Sequence, residues 1–136
     1  MNLNRTIKIT LLAFFLGAGT NVGLGDEGKA KVQHLTGKES VNLVNSEAKL
    51  IVVDVRTPEE FDEGHIKGAQ NIDFNGIDFP GKLAKIDREA PILVHCRSGR
   101  RSQASLKTFE SLGFKNVNHL DGGIQAWAEA GGALER

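Results

Sequence analysis

The stretch from Ile92 to Ser102 holds the residues best suited to chemistry. An apolar run leads through His95 to Cys96, which is the only cysteine in the chain. A polar loop follows, and a helical pattern begins at its end. A thiol between a buried strand and a helix is placed to act as a nucleophile, because loop amides and the helix N-terminus both favour an anion.

The loop after the thiol carries three arginines, Arg97, Arg100 and Arg101. Their charge, together with inward-pointing loop amides, is expected to lower the pKa of the thiol and to attract a small dianion. Gly99 is expected to permit a positive φ angle or a close backbone approach. A buried inert thiol is the alternative interpretation of Cys96, and the neighbouring arginines count against it.

Two serines in this loop could donate hydrogen bonds to sulfur carried by Cys96. They are Ser98 and Ser102. Ser102 has an equal claim as the N-cap of the following helix, which we expect to run from Ser102 to Leu112.

The composition indicates one domain without general affinity for nucleic acid. The chain has 136 residues, and its 17 positive charges balance its 17 negative charges. One hydrophobic core is expected at this length. Nucleic-acid binding normally requires an excess of basic residues, so we expect no nucleic-acid partner.

The first 25 residues predict a secretory signal peptide. Arg5 and Lys8 precede an apolar run over 9–19, and small residues, Gly23 and Gly25, stand before Asp26. This order is typical of a cleaved signal peptide, and the run is short for a membrane span. We therefore expect a mature single domain over 26–136, periplasmic or secreted and free of the membrane, with an uncleaved anchor as the alternative. One cysteine in an exported chain cannot form an internal disulfide.

Strand and helix patterns alternate along the rest of the chain. Continuous β-branched runs predict buried strands over 50–55 and 91–95, and Ser/Thr-x-x-Glu capping boxes predict helices after Thr36 and Thr57. Further helices are predicted over 82–86 and 124–130. This alternation is typical of an α/β domain with a mostly parallel sheet. Ligands of such sheets bind at the carboxyl ends of the strands, where Asp54 and Cys96 lie.

Three segments resemble the signatures of rhodanese-like domains, in the order that the family shows. They are Asp54–Ile72, Cys96–Ser102 and Gly113–Trp127. The resemblance implies a five-stranded parallel sheet with helices on both faces and a sulfurtransferase that works through a cysteine persulfide. It is strongest to single-domain members, including exported thiosulfate sulfurtransferases. Family members often have a proline after the position of Ile72, where this chain has Asp73. This difference concerns the start of the following loop and not the chemistry.

The resemblance also implies roles for the residues of the loop. Cys96 is the expected nucleophile, and the substrate-binding residues are expected to be Arg97, Ser98, Gly99, Arg100, Arg101 and Ser102. Thiosulfate is the expected donor, and cyanide or a thiol, such as a thioredoxin-like protein, is the expected acceptor. No metal or organic cofactor is required for this reaction.

Three other functions remain open. Phosphatases and arsenate reductases of similar fold place five residues between cysteine and arginine, whereas four separate Cys96 from Arg101. The tighter loop suits one sulfur atom better than a tetrahedral oxyanion. A persulfide carrier loaded by a protein partner fits the same residues, and a non-catalytic interaction module would be expected to lack the cysteine.

Other polar residues are expected to be structural. We predict that Arg56 pairs with Glu60 or another carboxylate, and that Asp54 orders nearby loop amides. His65 and His95 are predicted to have structural roles, and Trp127 is predicted to pack in the core.

Overall fold

The computed structural model describes residues 29–136. The predicted signal peptide, residues 1–25, lies outside the described residues and stays a prediction. The strands are β1 (Lys31–Leu35), β2 (Ile51–Asp54), β3 (Gln70–Asn71), β4 (Ile92–His95) and β5 (Asn116–Leu120). The helices are α1 (Gly37–Ser46), α2 (Pro58–Glu63), α3 (Phe79–Leu83), α4 (Arg100–Ser111) and α5 (Gly123–Glu129). None of the helices over 29–136 has the length and apolar character that a membrane crossing requires.

The five strands form one sheet in the order β1-β5-β4-β2-β3. Every pair of neighbours is parallel. The central strand β4 is buried along its whole length, as its uninterrupted apolar sequence predicts. The predicted α/β fold with a five-stranded parallel sheet is therefore confirmed.

Helices cover both faces of the sheet, and the core has two parts. Val94 points into a cluster that includes Leu83 of α3 and Phe109 of α4. Leu93, the residue before it, points to the opposite face and packs in a cluster with Trp127 of α5. This alternation follows from the pleat of a strand, and it confirms the core position predicted for Trp127.

Both predicted capping boxes are present. The hydroxyl oxygen of Thr36 accepts from the N–H of Glu39, whose carboxylate in turn accepts from the N–H of Thr36. Thr57 and Glu60 make the same reciprocal pair at the start of α2. These contacts satisfy N–H groups that have no partner inside the helix.

Three helices begin earlier than predicted, and α5 differs by only one residue, starting at Gly123 rather than at 124. α3 spans Phe79–Leu83 rather than 82–86, because the Asp78 carboxylate caps it by accepting from the N–H of Gly81 at 3.1 Å. α4 begins at Arg100, and its N-cap is Gly99 with φ 103°. Ser102 therefore lies inside the first turn of α4, and the predicted N-cap role is wrong.

A buried ion pair links the end of β2 to the C-terminal end of α2. The Asp54 carboxylate accepts the backbone N–H of Arg56 at 3.0 Å and the guanidinium Nη2 of the same residue at 2.7 Å. Nη2 also donates to the carbonyl of Gly64 at 2.8 Å. Asp54 orders a loop amide as predicted, and Arg56 pairs with this carboxylate rather than with Glu60. His95 Nε2 lies 3.5 Å from Asp54 Oδ2, so the pair lies directly beside the end of β4.

Replacing Arg56 with Met should destabilise the fold strongly. The substitution leaves the fully buried Asp54 carboxylate without its cation, which typically costs about 3–5 kcal/mol. Denaturant unfolding of the two proteins measures the loss. Arg88→Met, at an exposed position, is the matched control and should cost less than about 0.5 kcal/mol. A loss of under about 1 kcal/mol for Arg56→Met would show that the pair is not a stabilising element.

Candidate active site

Cys96 lies immediately after β4, at the carboxyl end of the sheet. The residue is only 1% exposed. The chain then turns over three residues, Arg97–Gly99, and enters α4 at Arg100. The positive φ of Gly99 makes this short turn possible, as its position in the sequence predicts.

The loop directs hydrogen-bond donors at the sulfur. The Gly99 N–H lies 3.1 Å from Cys96 Sγ, and the Ser102 hydroxyl oxygen lies 3.4 Å from the same atom. Burial alone would raise the pKa of the Cys96 thiol. The hydrogen bonds from the Ser102 hydroxyl and from the N–H groups of Ser102, Gly99 and Ser98 outweigh burial and hold that pKa below its usual value. The site thus favours an anionic sulfur.

The N-terminus of α5 holds the other side of the loop. The N–H of Ile124 donates to the Cys96 carbonyl at 2.9 Å, and the N–H of Gln125 donates to the Arg97 carbonyl at 3.3 Å. Gly123 has φ 62°, and a Cβ atom there would lie 2.4 Å from the Arg97 oxygen. Only glycine fits at this position, so the Gly122-Gly123 pair belongs to the site although it carries no side chain.

The three arginines of the loop have different surroundings. Arg97 and Arg100 are exposed, and within the described part of the chain neither takes part in an ion pair. The two terminal nitrogens of Arg101 donate to the two carboxylate oxygens of Glu60, at 2.7 and 2.9 Å. This bidentate pair fixes the Arg101 guanidinium against α2. Ser98 is also exposed on the loop.

The pair with Arg101 changes the acidity of Glu60. The Arg101 hydrogen bonds are the main cause that lowers the pKa of Glu60 to about 2, from a usual value of 4.5. The charge of Arg101 is thus balanced in the resting site, and a substrate anion has to share it with Glu60. The substrate-binding role of the loop residues stays a prediction.

His95, the residue before Cys96, is fully buried and contacts the backbone. Its Nδ1 atom lies 3.1 Å from the Cys96 carbonyl oxygen. Burial lowers the pKa of His95 more than the nearby Asp54 carboxylate raises it. A neutral ring in contact with backbone fits the structural role predicted for it.

His119 and Asp121 belong to the site although the sequence did not predict them as site residues. His119 Nε2 lies 2.7 Å from the hydroxyl oxygen of Ser102, and its Nδ1 lies 2.7 Å from Asp121 Oδ1. His119 is paired in register with Val94, two residues before Cys96. The sequence did contain one signal for it, a histidine near the end of a strand next to the strand of the nucleophile. The contact between His119 and Ser102, however, depends on where α4 starts.

Only one group of described side chains could bring three metal-ligand atoms together. His34, His119 and Asp121 place theirs within 4.8 Å of one another. Both histidine Nδ1 atoms contact the same oxygen, Asp121 Oδ1, at 2.9 and 2.7 Å. These are hydrogen-bond lengths, and we interpret the group as a hydrogen-bonded cluster.

Comparison with known proteins gives consistent matches. The sequence model of the Rhodanese-like domain matches residues 36–130. The chain is 38% identical over 100 residues to the probable adenylyltransferase/sulfurtransferase MoeZ of Mycobacterium tuberculosis, covering 74% of this chain and 26% of that protein. It is 42% identical over 77 residues to the thiosulfate sulfurtransferase GlpE of Pseudomonas aeruginosa, covering 56% of this chain and 67% of that protein. The chain thus spans about a quarter of MoeZ and two thirds of GlpE.

Solved structures show the same fold. A rhodanese-related protein of Thermoplasma volcanium matches with a TM-score of 0.64 at 26% identity, over 79% of this chain and 97% of that one. A protein of unknown function from Rhodopseudomonas palustris, described as a possible tyrosine phosphatase, matches with a TM-score of 0.64 at 29% identity, over 76% and 85%.

The ion pair of Glu60 predicts a pH-dependent stability. Because the folded-state pKa of Glu60 is lowered to about 2, the pair stabilises the protein fully above pH 4.5 and is lost as the pH falls toward 2. Glu60→Gln should therefore reduce the free energy of unfolding near pH 6 by about 1 kcal/mol, since solvent screens this partly exposed pair. The difference from the unsubstituted protein should vanish at about pH 2.

Urea unfolding at several pH values measures this difference. Glu59→Gln is the matched control, because Glu59 is exposed on the same helix and should show no comparable change. A Glu60→Gln difference that is the same at every pH would contradict the proposed ionic origin.

Proposed function

We propose a function for this chain from the premise that it belongs to the rhodanese-like domain family. Relatives named as sulfurtransferases support sulfurtransferase activity in general. The specific reaction we propose is transfer of the outer sulfur of thiosulfate to cyanide or a thiol through a persulfide on Cys96. The observation that supports it most is the buried sulfur of Cys96 with the Gly99 N–H and the Ser102 hydroxyl directed at it.

The first half of the reaction loads the enzyme. The Cys96 thiolate attacks the outer sulfur of thiosulfate, and a new S–S bond forms while the S–S bond of thiosulfate breaks. Sulfite leaves with the electron pair of the broken bond. The exposed Arg97 and Arg100 supply positive charge that attracts the dianion.

The second half unloads it. Cyanide or a thiolate attacks the terminal sulfur of the persulfide, and the S–S bond to Cys96 breaks with its electrons returning to the Cys96 sulfur. The products are thiocyanate or an acceptor persulfide, and the Cys96 thiolate is regenerated. The hydrogen-bond donors around Sγ stabilise this leaving thiolate. No cofactor takes part in either half.

A protein thiol is the physiological acceptor we propose. Exposed side chains are available to contact a protein partner. They are the cations Arg97 and Arg100 on the loop and, on another loop of the domain, Ile77, which is 88% exposed. A thioredoxin-like protein has an accessible thiol of the kind required. The export predicted from the N-terminal segment would make that partner an exported protein too.

Phosphatase activity is the second candidate, favoured by the likeness to the Rhodopseudomonas palustris protein. Two observations weigh against it. Only four residues separate Cys96 from Arg101, and both terminal nitrogens of that arginine are bound by Glu60. A phosphate ester would have to displace this carboxylate to obtain a bidentate contact.

Thiocyanate formation from thiosulfate and cyanide tests the proposal. The unsubstituted protein should be active with ping-pong kinetics, and Cys96→Ser should lower the rate by at least about a thousandfold. Arg88→Met, an exposed site outside the loop, is the control. Equal activity of Cys96→Ser and the unsubstituted protein would reject Cys96 as the nucleophile.

Hydrolysis of an aryl phosphate by the same preparation decides between the two candidates. We expect none above the Cys96→Ser background. Hydrolysis without thiocyanate formation would establish the second candidate instead.

A further inference from the structure

A continuous chain of hydrogen bonds leads from Cys96 to the protein surface. The Ser102 hydroxyl oxygen is 3.4 Å from Cys96 Sγ and 2.7 Å from His119 Nε2. His119 Nδ1 is 2.7 Å from Asp121 Oδ1. Ser102 is fully buried and His119 is 2% exposed, whereas the Asp121 side chain is 55% exposed. The chain thus joins a buried thiol to a carboxylate at the solvent.

The hydroxyl of Ser102 can donate its hydrogen bond in either of two directions that matter here, to His119 or to Cys96. It has one hydrogen and three acceptors within reach, which are Cys96 Sγ, the Gly99 carbonyl at 3.2 Å and His119 Nε2. The contact to His119 is the shortest of the three. When the hydrogen points to His119, an oxygen lone pair faces the thiol and can accept its proton. When the hydrogen points to the sulfur, the oxygen can accept from a protonated His119.

We propose that His119 is a positioning residue that receives the proton of the Cys96 thiol through the Ser102 hydroxyl. In the thiol form, Cys96 S–H donates to Ser102 Oγ, and the Ser102 hydroxyl donates to His119 Nε2. On ionisation the S–H bond breaks and a new Oγ–H bond forms, while the original Oγ–H bond breaks and Nε2–H forms. The products are a thiolate and an imidazolium on either side of a neutral hydroxyl.

Asp121 stabilises the product of this transfer. The Nδ1–H of His119 donates to its carboxylate before and after the proton moves, so the ring keeps one orientation and its positive charge has a partner. Burial would raise the pKa of the Asp121 carboxyl, but the hydrogen bonds from His34 and His119 hold it below its usual value. Asp121 is therefore an anion at neutral pH.

Two other histidines lie near His119 in the described part of the chain. His34 on β1 approaches its ring edge-on at 5.2 Å between centroids and shares Asp121. His95 on β4 lies nearby, and burial chiefly lowers its pKa and keeps it neutral. Cys96 and Asp121 lie at the two ends of the hydrogen-bonded chain.

The pH dependence of Cys96 alkylation by iodoacetamide tests the proposal on the full chain after cyanide treatment removes any bound sulfur. The reagent reacts with the thiolate, so the midpoint of the rate profile follows the ionisation of Cys96. His119→Gln keeps a hydrogen-bonding group beside Ser102 but cannot take up a proton. Its midpoint should rise by about one pH unit, and at pH values below both midpoints the alkylation rate should fall by about tenfold.

His34→Gln is the matched control, because His34 binds the same Asp121 oxygen but does not contact Ser102. Its midpoint should stay within about 0.3 unit of the unsubstituted protein. If His119→Gln fails to fold, Asp121→Asn at its exposed position gives the same test, with an expected rise of about half a unit. An unshifted midpoint in the folded variant overturns the proposal.

The inference rests on the proposed function only in taking Cys96 as the reactive thiol, and the two can fail separately. A shifted alkylation profile in a protein that forms no thiocyanate would retain the hydrogen-bonded relay and reject the thiosulfate reaction. Thiocyanate formation with an unshifted profile would reject the relay alone.

Discussion

The site depends on a tight turn of the backbone immediately after Cys96. The loop must bring the Gly99 N–H to within 3.1 Å of the sulfur and still leave α4 aligned with the sheet. Two glycines make this geometry possible from opposite sides. Gly99 turns with a positive φ, and Gly123 lets the N-terminus of α5 approach the Cys96 and Arg97 carbonyls. Because the Cys96 and Arg97 carbonyls accept hydrogen bonds from α5, the N–H groups of the loop can face the sulfur of Cys96.

Burial and charge act against each other at this turn. A buried thiol resists ionisation, and the directed donors around Sγ overcome that resistance. The buried pair of Asp54 and Arg56 holds the adjacent end of β2 in place, and Glu60 holds Arg101. Most of the charge near the thiol is therefore already paired. Only Arg97 and Arg100 on the loop remain exposed to meet an incoming anion.

Local sequence patterns predicted most of the fold. Buried strands, both capping boxes and the position of Cys96 at the end of β4 depend on neighbouring residues, and each is found in the structure. The starts of α3 and α4 were wrong because Asp78 and Gly99 form caps that depend on a left-handed backbone conformation. A periodicity of apolar residues carries no information on such caps.

The contacts across the site could not be predicted in the same way. Arg101 and Glu60 are 41 residues apart, and His119 and Ser102 are 17 residues apart. Their meeting depends on how α2 and α4 pack against the sheet, which no local pattern encodes. The loop arginines are an example. The sequence offers three equivalent cations, but in the structure Arg101 is bound by Glu60, whereas Arg97 and Arg100 are exposed.

Intact mass after incubation with thiosulfate tests the central claim most directly. The protein is first freed of bound sulfur with cyanide, and the mass is then followed with and without thiosulfate. A gain of one sulfur atom, about 32 Da, on the unsubstituted protein but not on Cys96→Ser is the predicted result, and a second cyanide treatment should remove it. No gain, or an equal gain on Cys96→Ser, would contradict a persulfide on Cys96.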